Sequence, residues 1–148
     1  MFQYNVLSRT NLTGDIYGND LKTARRKLTA AEIKALFTTP IELIPAPGAG
    51  FITWIAHTVA FLDYSTAAFT GDHDLIITDA SGVEVTAEIP YAMYQNTADV
   101  LHDIANVNNT TRVLDEAISI SAETADPGGA TAASTLTLTI FYMTIKAT

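Results

Sequence analysis

Apolar residues recur along most of the chain with the spacing of β-strands. From Val83 to Ile89 they alternate with Glu and Thr, which is the period-2 pattern of a strand with one face in water. Other segments with strand character are 41–44, 51–62, 75–78 and 113–121. A last strand at 135–146 carries apolar residues on both faces near its end. We therefore expect that strand to be central in a sheet or covered by a neighbouring subunit.

Turn and cap signals separate these strands. Asp79–Gly82 predicts a hairpin that leads into the alternating segment, and Ala125–Gly129 predicts a tight turn before the last strand. Thr29 and Glu32 have the spacing of a capping box, which predicts a short helix that ends before Pro40. This helix is expected to plug one end of the fold.

A second helix is predicted over about 97–105, because Ala98, Leu101 and Ala105 have helical spacing and Thr97 is a suitable cap. At least six short strands broken by Gly and Pro, without βαβ alternation, predict an all-β fold. The fold class we expect is an antiparallel β-sandwich, jelly-roll-like, with one or two short helices. An immunoglobulin-like sandwich is less favoured because the Cys-Trp-Cys pattern is absent.

The first part of the chain differs from the rest in pattern and in charge. Residues 1–28 have no sustained period, which predicts an extended N-terminal arm at 1–28 ahead of a β-sandwich domain at 29–148. The net charge is −8, yet residues 1–34 carry six basic and three acidic residues. We expect the basic arm to contact an acidic partner surface, the alternative being a solvated loop. The residues expected to make this contact are Arg9, Lys22, Arg25, Arg26 and Lys27.

Composition excludes several classes of function. The acidic body disfavours nucleic acid as a partner. No apolar run reaches the roughly 20 residues of a membrane-spanning helix, and residues 1–15 lack the pattern of a secretory signal. The absence of Cys removes disulfides, thiolate zinc sites and a Cys nucleophile.

No motif predicts a catalytic or metal site. Asp72-His73-Asp74, with Asp63, is the strongest metal candidate, but three consecutive residues do not point at one centre. No Gly-x-Ser-x-Gly elbow is present. We therefore predict no catalytic residue, no metal and no cofactor. A hydrolase stays open as an alternative if His57, His73 or His102 lies in a pocket beside a carboxylate and a Ser.

Several segments resemble small virion proteins of tailed bacteriophages. The most specific is residues 28–50, LTAAEIKALFTTPIELIPAPGAG. Looser matches are Leu62-Asp63-Tyr64, the strand at 75–77, the Pro-Gly-Gly turn at 127–129 and the strand at 136–142. The resemblance spans about residues 28–145 and leaves out the arm.

The resemblance implies a non-enzymatic bacteriophage virion structural protein. It implies more narrowly a capsid decoration (cement) protein that trimerises as a jelly roll on the capsid surface, with the major capsid protein or another virion protein as partner. A homotrimer would cover the apolar strand faces, so Phe141, Met143 and Ile145 are the expected subunit interface. The alternative is a fibre-associated receptor- or carbohydrate-binding module, in which Trp54 and Tyr64 would stack on a sugar.

Overall fold

The computed structural model describes residues 21–107, 114–130 and 133–147. The strands within these ranges are β1 (Lys22–Thr29), β2 (Ile41–Ile44), β3 (Phe51–Asp63), β4 (Phe69–Thr70), β5 (Leu75–Asp79), β6 (Val100–Ile104), β7 (Ile118–Ala122), β8 (Gly128–Gly129) and β9 (Thr135–Lys146). The helices are α1 (Ala30–Ile33) and α2 (Tyr91–Tyr94). Neither helix approaches the length or apolarity needed to cross a bilayer.

The strands form two antiparallel sheets and a small ribbon. The first sheet has the order β1-β9-β3-β6, the second has the order β2-β7-β5, and β4 pairs with β8. The segment 84–89 follows the hairpin and bridges back to β5 at Leu75–Ile89 and Thr78–Glu84, so it continues the second sheet as an irregular strand. This order, with successive strands crossing between the sheets, is that of a jelly roll. The expected all-β antiparallel sandwich is confirmed.

The core lies between the inner faces of the two sheets. In the first sheet, Leu136, Leu138 and Ile140 of β9 are at most 1% exposed. In the second sheet, Ile118 and Ile120 of β7 are fully buried. Alternation along each strand therefore directs one face inward, as period-2 patterning requires.

The predicted central position of the last strand is confirmed. β9 pairs with β1 on one side and with β3 on the other, and Thr135 and Thr137 are also buried on its outer face. The hairpin at Asp79–Gly82 is present, with the N–H of Gly82 donating to the carbonyl of Asp79.

The capping box at the start of α1 is also confirmed. The N–H of Glu32 donates to the Thr29 hydroxyl at 3.2 Å, and the N–H of Thr29 donates to the Glu32 carboxylate at 2.8 Å. Ala30 and Ile33 are buried, so the helix packs against the core. These contacts lower the pKa of Glu32, with a further contribution from Arg26.

The predicted helix over 97–105 is wrong. Val100–Ile104 form strand β6 on the edge of the first sheet, paired with β3. Val100 and Ile104 turn inward while Leu101 and Asp103 turn outward, so a period-2 reading also fits the segment. Pairing with the exposed edge of β3 outweighs the helical spacing, because tertiary contacts override local propensity.

Part of the expected arm belongs to the sheet. Lys22–Thr29 form the edge strand β1, in register with β9 from Lys22–Tyr142 to Thr29–Thr135. Leu28 is fully buried and Ala24 packs against the core. Residues 1–20 of the arm, including Arg9, lie outside the described residues.

Candidate interaction surface

The candidate functional site is the outer face of the first sheet, which we call the open face. A β-bulge in β3 between Ile55 and His57 determines which residues reach it. The side-chain amide of Asn106 donates to the carbonyls of Ile55 and Ala56 at 3.1 and 2.6 Å, and thereby holds the bulge. In a regular strand, two residues three positions apart face opposite sides. The bulge adds one residue, so Trp54 and His57 both face outward.

Cross-strand rows show what the open face contains. One row is Arg25–Thr139–Val59–Asp103, and the next is Lys27–Thr137–Phe61–Leu101. Further along β9, Phe141 lies beside His57, Met143 beside Trp54 and Ile145 beside Ile52. The open face consists of Thr23, Arg25, Lys27 and Thr29 on β1, the odd-numbered residues 135–145 on β9, Ile52, Trp54, His57, Val59, Phe61 and Asp63 on β3, and Leu101 and Asp103 on β6.

The open face is apolar and accessible along β3 and at Leu101 of the edge strand β6. Leu101 is 70% exposed, Trp54 41% and Phe61 37%. The outer face of the second sheet is more polar. It carries Glu42, Thr78, Ser119 and Ser121. A contiguous apolar patch on one face only is typical of an interaction surface.

The two edges of the open face carry opposite charge. Arg25 and Lys27 lie on β1, whereas Asp103 lies on β6. Arg26 pairs with Glu32 at 2.7 Å and Lys27 with Asp63 at 3.7 Å. Arg25 makes no salt bridge to any described residue, and Asp103 pairs with His57 at 3.0 Å while its side chain stays 73% exposed.

The residues predicted for the subunit interface share this surface. Phe141, Met143 and Ile145 lie on the open face and are half-buried in the single chain. Of the basic residues predicted for partner contact, Arg25 and Lys27 lie on the open face too, whereas Lys22 and Arg26 turn to the other side of β1. Their roles stay predictions.

The Asp72-His73-Asp74 cluster does not form a metal site. Among the described residues, no three His, Asp or Glu side chains come together in a way that could hold an ion. His73 contacts the Thr124 hydroxyl at 2.8 Å, and Asp74 accepts from the N–H of Tyr91 at 2.7 Å. The Tyr94 hydroxyl donates to the His73 carbonyl, and burial, followed by the nearby Asp74 and Asp72 carboxylates, raises the pKa of Tyr94 to about 12. These contacts order the loop around α2.

The proposed sugar platform is not formed by the two aromatic residues together. Trp54 lies near the start of β3 and Tyr64 follows its end, so the rise of a strand separates them by roughly 30 Å. A single stacked sugar cannot reach both rings. Trp54 instead belongs to the open face.

The described residues do not bring together a nucleophile relay. His57 pairs with Asp103 on the open face, where its side chain is 48% exposed and its ring lies 6.0 Å from that of Phe141. A shallow groove between α1 and β2 is lined by Ala31, Glu32, Ala35, Thr39 and Ile41. Its one titratable side chain, Glu32, is already held by Thr29 and Arg26.

The topology defines a jelly-roll domain, and the described part of its first sheet has an accessible apolar outer face. No protein family model matches the chain, and no curated protein matches it in sequence. Among solved structures, the chain is similar to a chain in the structure described as "Cyanophage Pam1 capsid asymmetric unit", with a TM-score of 0.53 and 14% identity. The similarity covers 95% of this chain and 96% of that chain. At this level of identity the likeness shows a shared fold.

Proposed function

We propose that the chain is a non-enzymatic structural protein of a bacteriophage virion. Within that class, the role is a trimeric decoration (cement) protein on the capsid surface, bound to the head shell through the N-terminal arm. The observation that carries the proposal is the open face, whose accessible Leu101, Trp54 and Phe61 need a partner. The likeness in fold to a chain of a cyanophage capsid structure, over nearly the whole length of both chains, supports the virion setting.

The arrangement of charge fits such a role. Arg9 in the arm, with Lys22 and Arg26 on the side of β1 away from the open face, stands apart from an acidic body, so an acidic shell surface would be attracted to this end of the chain and repelled elsewhere. Each arm contact is weak alone, but three arms on one trimer raise the avidity.

The first test is the location of the chain in virions. Mass spectrometry of purified particles of the phage that encodes it is expected to detect the chain, and a gold-labelled antibody is expected to mark the heads. Absence from the particles would overturn the proposal. Labelling of tail or head fibres would replace decoration by the fibre-associated alternative.

The second test separates arm binding from trimer formation. Removal of residues 1–20 together with Lys22→Gln and Arg26→Gln, which lie off the open face, is expected to abolish binding to heads that lack the chain, while the trimer is retained. The deletion must end before Lys22, because β1 belongs to the sheet and its loss would expose β9. A truncated chain that binds heads as tightly as the full chain would contradict a role for the arm.

A further inference from the structure

β1 and β6 form the edges of the first sheet, and the β6 edge is open only over 100–104, because the backbone of Ala105 and Val107 just beyond it bonds to Ala87 and Val85. β1 pairs only with β9 and β6 only with β3. Beyond these ladders, the backbone of 22–28 and of 100–104 makes no hydrogen bond to another described residue. An edge strand of this kind is a template for pairing with another chain unless charge or cover prevents it.

Charge decides which pairing is allowed. Two β1 edges placed side by side would bring Arg25, Arg26 and Lys27 of both copies together, which is repulsive. A β1 edge beside the β6 edge of another copy places Arg25 near Asp103 instead. Because β1, β9, β3 and β6 are successively antiparallel, β1 and a neighbouring β6 also run in opposite directions, and their side chains can meet across the corner between two sheets.

We propose that three copies of this chain join head to tail, each β1 edge against the β6 edge of the next copy, with the open faces turned toward a common threefold axis. This deepens, and rests on, the self-association in the proposed function. In this arrangement, the attraction between Arg25 of one copy and Asp103 of the next makes each β1 edge pair with a β6 edge. Head-to-tail contacts of this type close when the rotation between copies is a simple fraction of a turn.

The width of the sheet favours three copies over four. Four strands at about 4.8 Å make a side of roughly 19 Å. In a triangle of that side, each sheet lies about 5.5 Å from the axis, which is close to half of the roughly 10 Å spacing of packed sheets. In a square, the distance would be about 9.6 Å and would leave a channel. Three copies therefore bury the apolar centre of the open face without a void.

The side chains on the open face suit this interior. Phe141, Met143 and Ile145 lie on β9, and Trp54 and Phe61 lie on β3, the other inner strand of the sheet. Large apolar side chains therefore point toward the threefold axis. A dimer that packs two open faces together would also bring Arg25 near Asp103 of its partner. That arrangement leaves both sheet edges without a partner, and the experiment below distinguishes it.

Charge reversal tests the contact in solution. By sedimentation velocity, Arg25→Glu and Asp103→Lys are each expected to weaken the trimer at least ~10-fold, because each places like charges together at every contact. The double variant Arg25→Glu/Asp103→Lys restores opposite charges and is expected to recover the trimer. Lys34→Glu, at the exposed end of α1, is the matched control and leaves the trimer unchanged.

Cross-linking gives an independent readout that does not depend on a variant's stability. The chain has no Cys, and positions 25 and 103 of one copy lie across four strands, roughly 14 Å apart, too far for a disulfide within the chain. Oxidation of the Arg25→Cys/Asp103→Cys variant is expected to give covalent trimers on a non-reducing gel. Each single Cys variant can give no species larger than a dimer.

The outcomes separate the two proposals. A wild-type trimer that is indifferent to both charge reversals, or a double-Cys variant that forms only dimers, overturns the edge-to-edge ring and leaves the virion role standing. A wild-type monomer at micromolar concentration overturns the ring and also the trimeric part of the proposed function. Presence or absence in virions is decided by the particle analysis alone.

Discussion

Two acidic side chains, Glu32 and Asp126, hold the segment around α1 in place by hydrogen bonds. Glu32 accepts from the backbone and hydroxyl of Thr29 and from Arg26 at 2.7 Å. Asp126 holds the other end of this region by accepting from the N–H groups of Phe37 and Thr38. Burial acts to raise the pKa of Asp126, but these hydrogen bonds outweigh it and the pKa is lowered.

The lowered pKa of Glu32 makes its contribution dependent on pH. A carboxyl group whose pKa is lower in the folded state stabilises the fold above its unfolded value, here 4.5, and loses that effect as pH falls through the folded value. We expect Glu32→Gln to lower the free energy of unfolding by ~0.5 kcal/mol at pH 7. The effect is small because the salt bridge between Glu32 and Arg26 is exposed to solvent. The difference from wild type should vanish as pH falls well below 4.5.

Urea unfolding at pH 7 and pH 3 measures this effect. Glu42→Gln, at an exposed position on β2, is the control and should change little at either pH. If Glu32→Gln lowers the free energy of unfolding equally at pH 7 and pH 3, the charge of the carboxylate plays no part in the cap.

Elements whose signals are local could be predicted from the sequence. The capping box at Thr29 and the hairpin at Asp79–Gly82 depend on residues within a few positions of one another, and both are present. The segment at 100–104 depends instead on a partner strand some 40 residues earlier, so its spacing alone could not decide between helix and strand.

The bulge in β3 is a second feature that the sequence did not reveal. Its carbonyls are held by Asn106, which is 50 and 51 residues away along the chain. The apolar run from Phe51 to Leu62 shows no alternation, because the outward residues Trp54, Val59 and Phe61 are apolar too, and the change of phase at Ala56 leaves no mark in the sequence. The apolar nature of Phe141, Met143 and Ile145 could be read from the sequence, but the neighbours that complete the open face could not.

The ribbon of β4 and β8 depends on a glycine with no room for a side chain. Gly129 has φ +66°, and a Cβ there would lie 2.7 Å from the carbonyl oxygen of Ala68. We expect Gly129→Ala to lower the free energy of unfolding by ~2–4 kcal/mol, since backbone strain and a backbone clash add. Gly82→Ala is the matched control, because φ is +81° but nothing lies within 4 Å.

Thermal unfolding compares these two variants. Gly82→Ala should show the strain alone, ~1–2 kcal/mol, and so a smaller loss than Gly129→Ala. Equal losses would mean that the close approach of Ala68 to β8 does not constrain this turn.

At the scale of the whole molecule, the two outer faces predict different responses to the same substitution. We expect Phe141→Thr on the open face to weaken self-association at least ~10-fold, because an aromatic group is lost from each subunit interface. The stability of the isolated chain should change by less than ~1 kcal/mol, since Thr favours strands and Phe141 is only half-buried.

Ile76→Thr provides the comparison on the outer face of the second sheet. Ile76 is also half-buried, but its neighbours Ser119 and Ser121 make that face polar. Sedimentation velocity should find its association unchanged. If both variants associate as the wild type does, the apolar character of the open face has no role in assembly.

The position of β9 has a consequence for synthesis of the protein. β9 leaves the ribosome after the other eight described strands, yet β1 and β3 both depend on it as their shared partner. β1 therefore cannot pair with β9 until residues 135–146 have been translated. Pairing across so long a stretch is slow, on the millisecond-to-second scale. During that interval the nascent chain exposes its inner strand surfaces, so a chaperone that holds unfolded chains should raise the yield of folded protein more than a lower rate of translation does.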